Sequence, residues 1–311
     1  MTSLNIKRIL RDVMVINKDP LDDLGIYVHW NENNIFHAKA CIIGPQDTPY
    51  SHGFYFFDIT FPKEYPHVPP KVIYQTRDGK IRFNPNLYTC GKVCVSILNT
   101  WAGPQWTSCQ SLKSVLISLQ SLLNDKPIQN EPGFENEIGD KCKIYNKIIS
   151  YQNVKVAIIK MMNSPGNFDI FIPKMREYYI NNFKQIIRKV EQDYKNDDYS
   201  DKKIYSPIYQ MEMETNYLKI LENLETIFKK FTSDDSELDY EYKYLIEKNK
   251  INENKKLSLT NNNIKFKKNR KAPNYLAKKY ENGKIMISQN NNKKYIVYED
   301  KNNVKKWKLI K

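Results

Sequence analysis

The residues best suited to chemistry lie between Arg82 and Cys109, in the run RFNPNLYTCGKVCVSILNTWAGPQWTSC. Cys94 opens the apolar stretch 95–98 and follows Asn86 by eight residues. Asn84-Pro85-Asn86 is a turn-forming run, and Gly91 is a second breaker. A thiol at the edge of such a loop can act as a nucleophile through its thiolate and carry an acyl group as a thioester. The ordinary alternative is an inert packed cysteine, because free Cys is among the most buried residue types. The pattern by itself leaves both readings open. Cys90 and Cys94 have a C-x3-C spacing, but no histidine sits at ligand spacing and no paired C-x2-C occurs, so no metal is expected. Cys90 with Cys94 would make an oxidation-sensitive pair, while Cys41 and Cys142 read as packed residues.

The elements that must hold this loop can be read from periodicity. Ile6, Ile9, Leu10, Val13 and Met14 fall at helical spacing, with Lys7, Arg8 and Arg11 off the stripe, which predicts an amphipathic helix with a basic outer face ending near Asp19-Pro20. Four strand-like segments follow at 25–30, 35–43, 54–61 and 71–75. The short connections between the first three suggest an antiparallel meander. Residues 76–110 have no clear period and read as a long loop, a kind usually functional inside a compact domain. Leu112, Val115, Leu116, Leu119, Leu122 and Leu123 restore the helical period, and further helices are expected at 141–162, 173–194 and about 207–231.

Charge separates the chain into two parts. Residues 248–311 carry 19 Lys and Arg against 4 Asp and Glu, whereas residues 1–247 carry 30 against 31. The formal charge of +14 is therefore a property of the tail, not of the folded part. That tail is rich in Asn and Lys and reads as a linker ending in three short β-like runs, a small β-meander. Its cluster Lys265, Lys267, Lys268, Arg270 and Lys271 around Phe266 suits nucleic acid or an acidic protein, against the ordinary reading of a solvated run. Five cysteines without paired spacing point to a reducing compartment. No stretch approaches ~18 apolar residues and the N-terminus has no signal-like run. These features lead us to expect a cytoplasmic or nuclear protein with no membrane partner.

The block around Cys94 resembles the active-site region of ubiquitin-conjugating enzymes. In that family a strand-meander domain carries a His-Pro-Asn turn, with the acceptor cysteine eight residues after the Asn. FPKEYPHVPPKV (61–72), GKVCVSILNTW (91–101) and the helix from Trp106 to Leu123 match further blocks of the family in order. FNPNLY, SILNTWAGPQW and NEPGFENE (130–137) resemble a subclass of large members with Asn-Pro-Asn in the turn, most similar to the one charged by the alternative activating enzyme.

The resemblance implies an α+β catalytic core over 1–165 with an N-terminal helix, a four-stranded antiparallel meander and C-terminal helices. A helical extension over 166–247 and the basic tail over 248–311 would follow. It also implies roles for individual residues. Cys94 would accept ubiquitin or a ubiquitin-like protein from an activating enzyme and pass it to a substrate lysine or a ligase cysteine. Asn86 would stabilise the oxyanion, and losing such a donor costs roughly 10²–10³ in rate. Glu131 would stand near the cysteine as the acidic residue that orients the amine or takes its proton. Asn84, in place of the usual histidine, and Pro85 would brace the turn. Lys7, Arg8 and Arg11 would meet the activating enzyme. His67, Ser108 and Cys109 would lie in the loops that meet a ubiquitin ligase, where they depart from the residues usual there. No cofactor is expected to bind, since ATP is used by the partner activating enzyme. A different class of reading makes the core a non-catalytic scaffold and the basic tail the working part of an adaptor protein. Retention of Cys94 and Asn86 argues against it.

Overall fold

The computed structural model describes residues 4–232, 285–287, 294–299 and 305–309. The basic cluster 265–271 and most of the tail lie outside the described residues. The chain divides into two compact units, Met1–Tyr242 and Lys243–Lys311.

In the first unit, helix α1 (Leu4–Lys18) leads to strands β1 (Ile26–Trp30), β2 (His37–Ile43), β3 (Phe54–Thr60) and β4 (Lys71–Tyr74). They form one antiparallel sheet in sequence order. The strand register puts Val28, Ala40, Phe57 and Tyr74 in one cross-strand row, and the neighbouring row of the same face holds Ile26, Ile42 and Tyr55. The opposite face carries Tyr27, Cys41 and Phe56 in register. Phe54 and Phe56 lie on this second face, and Tyr55 and Phe57 on the first. All four are buried, so the sheet has a covered surface on both sides.

Helix α1 faces inward differently from the sequence expectation. Ile9, Asp12 and Ile16 are its buried residues, while Leu10 and Met14 are exposed beside Lys7 and Arg11. The buried Asp12 is tolerated because it accepts from Arg8 Nε at 3.2 Å and from the Tyr65 hydroxyl. Its side chain turns that stripe inward and rotates Leu10 and Met14 outward, so the outer face of α1 is mixed apolar and basic.

After the loop, α2 (Leu112–Ser121) buries Leu112, Val115, Leu116 and Leu119. Its N-terminus is closed by a reciprocal capping box between Ser111 and Ser114. Helix α3 (Asp140–Gln152) continues as a π-helical segment (Asn153–Lys160) and the short α4 (Met161–Asn163). A buried amide marks the change of pitch. Asn153 accepts from the Tyr55 hydroxyl at 2.5 Å and donates to Ser51 O at 2.8 Å. Gly53 leaves the room for it, since a Cβ there would stand 2.0 Å from Asn153 Oδ1.

The chain then crosses to the other side of the sheet. A 3-10 segment (Gly166–Phe171) stacks Phe168 on Phe56 at 4.7 Å and 4°, and Phe171 lies 6.2 Å from the same ring. Helix α5 (Ile172–Asn196) adds Tyr178 edge-on to Phe54. Helix α6 (Tyr217–Thr232) packs on α5, with Phe183 and Phe228 stacked at 4.1 Å.

Between these two helices the structure departs from the expected helix over 207–231. Residues 203–214 form a hairpin, β5 (Lys203–Ser206) with β6 (Met211–Glu214), and the helix begins only at Tyr217. Met211-Glu-Met-Glu alternates buried and exposed, a period of two, and Pro207 stands in the tip between the strands. In the second unit, β7 (Ile285–Ile287), β8 (Lys294–Glu299) and β9 (Lys305–Leu309) form an antiparallel meander in which Tyr295 and Val297 are buried.

The Phe56–Phe168 stack makes the extension part of the core. Phe168→Ala should lower the unfolding free energy by about 3 kcal/mol, read as a lower urea midpoint with an unchanged slope. A loss below about 1 kcal/mol would mean that the outer face of the sheet does not depend on this ring.

Candidate active site

Asn86 and Cys94 face one another across a tight hairpin inside the long loop. The Cys94 N–H donates to Asn86 O at 2.9 Å, and Asn86 Nδ2 donates to Cys94 O at 2.6 Å. One step inward, Leu87 bridges Val93. One further, the Tyr88 N–H donates to Lys92 O. The turn closes at Gly91, which has φ +97 and whose O accepts from the Tyr74 N–H at 2.8 Å. A Cβ at Gly91 would meet Tyr74 O at 2.9 Å, so the loop lies against the end of β4 where only glycine fits. The eight-residue spacing is the length of this hairpin.

Cys94 is covered, with 2% of its surface exposed, whereas Cys90 four residues earlier is exposed. Asn86 is also buried. One hydrogen of its Nδ2 goes to Cys94 O and the second remains for another acceptor, while its Oδ1 has no partner.

Asn84 is fully buried and holds the turn from below. Its Oδ1 accepts from the Asn86 N–H at 2.9 Å, and its Nδ2 donates to the Tyr50 hydroxyl at 3.0 Å and to Leu122 O at 2.7 Å. Leu122 O belongs to the last turn of α2, where carbonyls lack helical partners. Asn130 Nδ2 reaches the same two acceptors, Asn84 Oδ1 at 3.4 Å and Leu122 O at 3.3 Å. Pro85 O accepts from Arg82 Nη2 at 2.5 Å. Glu131 follows Asn130 and is half-buried, and its carboxylate accepts from the Tyr209 hydroxyl at the tip of the β5–β6 hairpin.

The expected partner surfaces are elsewhere. Lys7 and Arg11 are exposed on α1, but Arg8 is bound within the chain: it donates to Asp12, to Ser108 O at 2.7 Å and to Gln110 O. It fastens α1 to the loop before α2 instead of standing free with its two neighbours. His67 and Ser108 meet at 3.4 Å on the surface, with Cys109 exposed beside them. Trp106 Nε1, donating to Pro66 O at 2.7 Å, holds their two loops together. A polar cavity of about 680 Å³ lies away from Cys94, between α3, α5 and residues 46–52. Its charged groups are largely paired among themselves, as in Lys147–Asp197 and Lys189–Asp193. Among the described residues no cluster of His, Cys, Asp or Glu could hold a metal ion.

Sequence reasoning did not single out Arg82, Tyr50, Asn130 or Tyr209. Asn130 adjoins Glu131, and Arg82 opens the RFNPN block, so both stood beside residues already chosen. Tyr50 and Tyr209 reach the site from 34 and 78 residues away, and only the fold brings them there.

The family model described as Ubiquitin-conjugating enzyme matches residues 8–154. The chain is similar to Ubiquitin-conjugating enzyme E2 Z of Xenopus tropicalis, 47% identical over 158 residues, covering 50% of this chain and 50% of that protein. The Homo sapiens protein of the same name is also 47% identical over 158 residues, with 50% and 44% covered. Probable ubiquitin-conjugating enzyme protein 17 of Caenorhabditis elegans is 36% identical over 248 residues, covering 72% of this chain and 34% of that protein. Among solved structures, the E2 domain of a Toxoplasma gondii ubiquitin conjugating enzyme matches with a TM-score of 0.38 and 24% identity, covering 49% of this chain and 97% of that one. The chain spans half or less of the length of these curated relatives. Residues 8–154, which hold the Asn86–Cys94 hairpin, match the ubiquitin-conjugating enzyme family.

Proposed function

We propose that the chain takes ubiquitin, or a ubiquitin-like protein, from an activating enzyme as a thioester on Cys94 and transfers it to a lysine amine or a ligase cysteine. The observation that carries this reading is the reciprocal Asn86–Cys94 pair, which holds an amide donor against the backbone of the cysteine.

In the loading step the Cys94 thiolate attacks the carbonyl carbon of the modifier's thioester. The new C–S bond forms as the old one breaks, and the activating enzyme's thiol leaves. In the transfer step a neutral lysine Nζ attacks the same carbonyl carbon. Negative charge collects on the carbonyl oxygen until the C–S bond breaks, Cys94 leaves as thiolate, and the nitrogen gives up a proton. The second Nδ2–H of Asn86 is the donor available for that oxygen. Asn84 keeps it there by holding the Asn86 backbone from the adjacent turn.

A free lysine has a pKa of ~10.4 and is therefore almost wholly protonated at pH 7. Desolvation at a buried thiol lowers that pKa. A carboxylate opposes this shift, so the useful tasks for Glu131 are to direct the amine and to accept its proton. Cys94 is 2% exposed, so the groups that cover it must part when the modifier arrives. Lys7 and Arg11 are the basic groups left for an activating enzyme, since Arg8 is committed within the chain. The joined His67 and Ser108 loops are the surface for a ligase.

Incubation with ATP, activating enzyme and ubiquitin tests the reading on a non-reducing gel. A band that thiol reagents collapse and that Cys94→Ala abolishes is the expected result, and a thiol-resistant band or one surviving Cys94→Ala rules the reading out. Asn86→Ala should load normally but discharge to free lysine roughly 10²-fold more slowly, measured in a single turnover chase. Asn84→Ala removes the bracing bonds of a buried amide and should cost about 2 kcal/mol in urea unfolding as well as slowing discharge.

A further inference from the structure

The hairpin that interrupts the extension ends against the catalytic turn. Its tip, residues 207–210, is strained: Tyr209 has φ 58 and Gln210 φ 50, both in the left-handed region that side chains disfavour. The surroundings hold it there. Met211 Sδ accepts from the Arg82 N–H at 3.3 Å, and the Tyr209 ring stands edge-on to Tyr145 at 6.3 Å. The Tyr145 hydroxyl in turn donates to Arg82 O at 2.7 Å.

What this backbone positions is the Tyr209 side chain. Its hydroxyl donates to Glu131 Oε2, and its ring lies 4.3 Å from the Arg82 guanidinium. The Tyr88 ring, 3.6 Å away, also stacks on Arg82, and Tyr88 belongs to the hairpin that pairs Asn86 with Cys94. Arg82 passes the hold to the turn itself through Pro85 O. Burial, followed by the hydrogen bond to the Glu131 carboxylate, raises the Tyr209 pKa, so the hydroxyl stays protonated and remains a donor. A carboxylate held through one oxygen by a fixed donor keeps its other oxygen in a fixed direction.

We propose that Tyr209 is a positioning residue for transfer: from the extension it aims the Glu131 carboxylate at the incoming amine. This rests on the reading of Cys94 as the thioester carrier. Tyr209 touches neither modifier nor lysine and acts only through Glu131, with its ring supporting Arg82.

Tyr209→Phe tests this, because it deletes the hydroxyl and keeps the ring over Arg82. The full chain is loaded with ubiquitin, and discharge is followed in single turnover with free lysine and, separately, with hydroxylamine, an amine already neutral at pH 7. The variant should melt and load like the parent and discharge to lysine roughly ten-fold more slowly. Discharge to hydroxylamine, which enters neutral and sheds its proton more readily, should slow much less. In Glu131→Gln the further change Tyr209→Phe should add nothing, because the two act as one unit.

Lysine discharge that is unchanged or faster in Tyr209→Phe overturns the proposal. Equal slowing with both amines overturns it too, since that marks a general loss of structure, as does slowing that adds fully to Glu131→Gln. A parent chain that never forms the thioester sinks the reading of Cys94 instead, so the two failures are distinguishable.

Discussion

The reciprocal pair between Asn86 and Cys94 is the constraint around which the site is built. Two hydrogen bonds across one rung of a short hairpin fix the thiol's backbone and the amide's side chain relative to each other. Neither residue can move without breaking a buried bond, which costs about 1–3 kcal/mol when the group is left unpaired. The rest of the local structure follows. The hairpin needs a reversal, Gly91 supplies it with a positive φ, and the same glycine allows the turn to lie on the end of β4. The sheet thus sets the height of the turn, and α2, through Leu122 O and Asn84, sets its tilt.

Asn84 shows what an amide does where the family resemblance leads one to look for a histidine. One planar group supplies an acceptor for the Asn86 N–H and donors for Tyr50 and Leu122. A carboxamide does not titrate between pH 5 and 8, whereas an imidazole does. The turn is therefore held by bonds that proton concentration does not alter. Asn130 doubles the hold from the segment that carries Glu131, so the two residues expected to assist Cys94 share one anchor.

The elements legible in the sequence were those whose signal is local. The strands announced themselves by alternation and bounding prolines, and α2 by its leucine period. Two features were not legible because their causes are remote, and a third because two local signals compete. On α1 the inward stripe includes Asp12, and no periodicity of apolar residues finds a carboxylate buried by Arg8 and Tyr65. The π-helical segment begins at Asn153, whose partners Ser51 and Tyr55 lie about a hundred residues earlier. From Tyr217 on, Tyr217, Leu221, Leu224 and Phe228 set up a true helical stripe that is easily extended too far toward the N-terminus, into 207–216. The alternation of Met211-Glu-Met-Glu is the competing local signal. At the site the same division holds: Cys94, Asn86, Asn84 and Glu131 stand in readable blocks, whereas Tyr209 reaches Glu131 only through the folded extension.

The covered state of Cys94 fits a requirement that pulls two ways. A thioester in open water is exposed to hydrolysis, and a buried thiol cannot be reached by an incoming modifier. A hairpin bounded by loops can meet both demands, because loops open more cheaply than strands or helices. Here the rigid parts are the sheet end, the α2 terminus and the Asn84–Asn86 turn. Past Cys94 the chain runs through the 3-10 turn Ser96–Leu98 and the exposed residues 99–105, without a helix or strand until α2. Asn86, on the other side of Cys94, is fastened by Asn84 and by the Cys94 backbone.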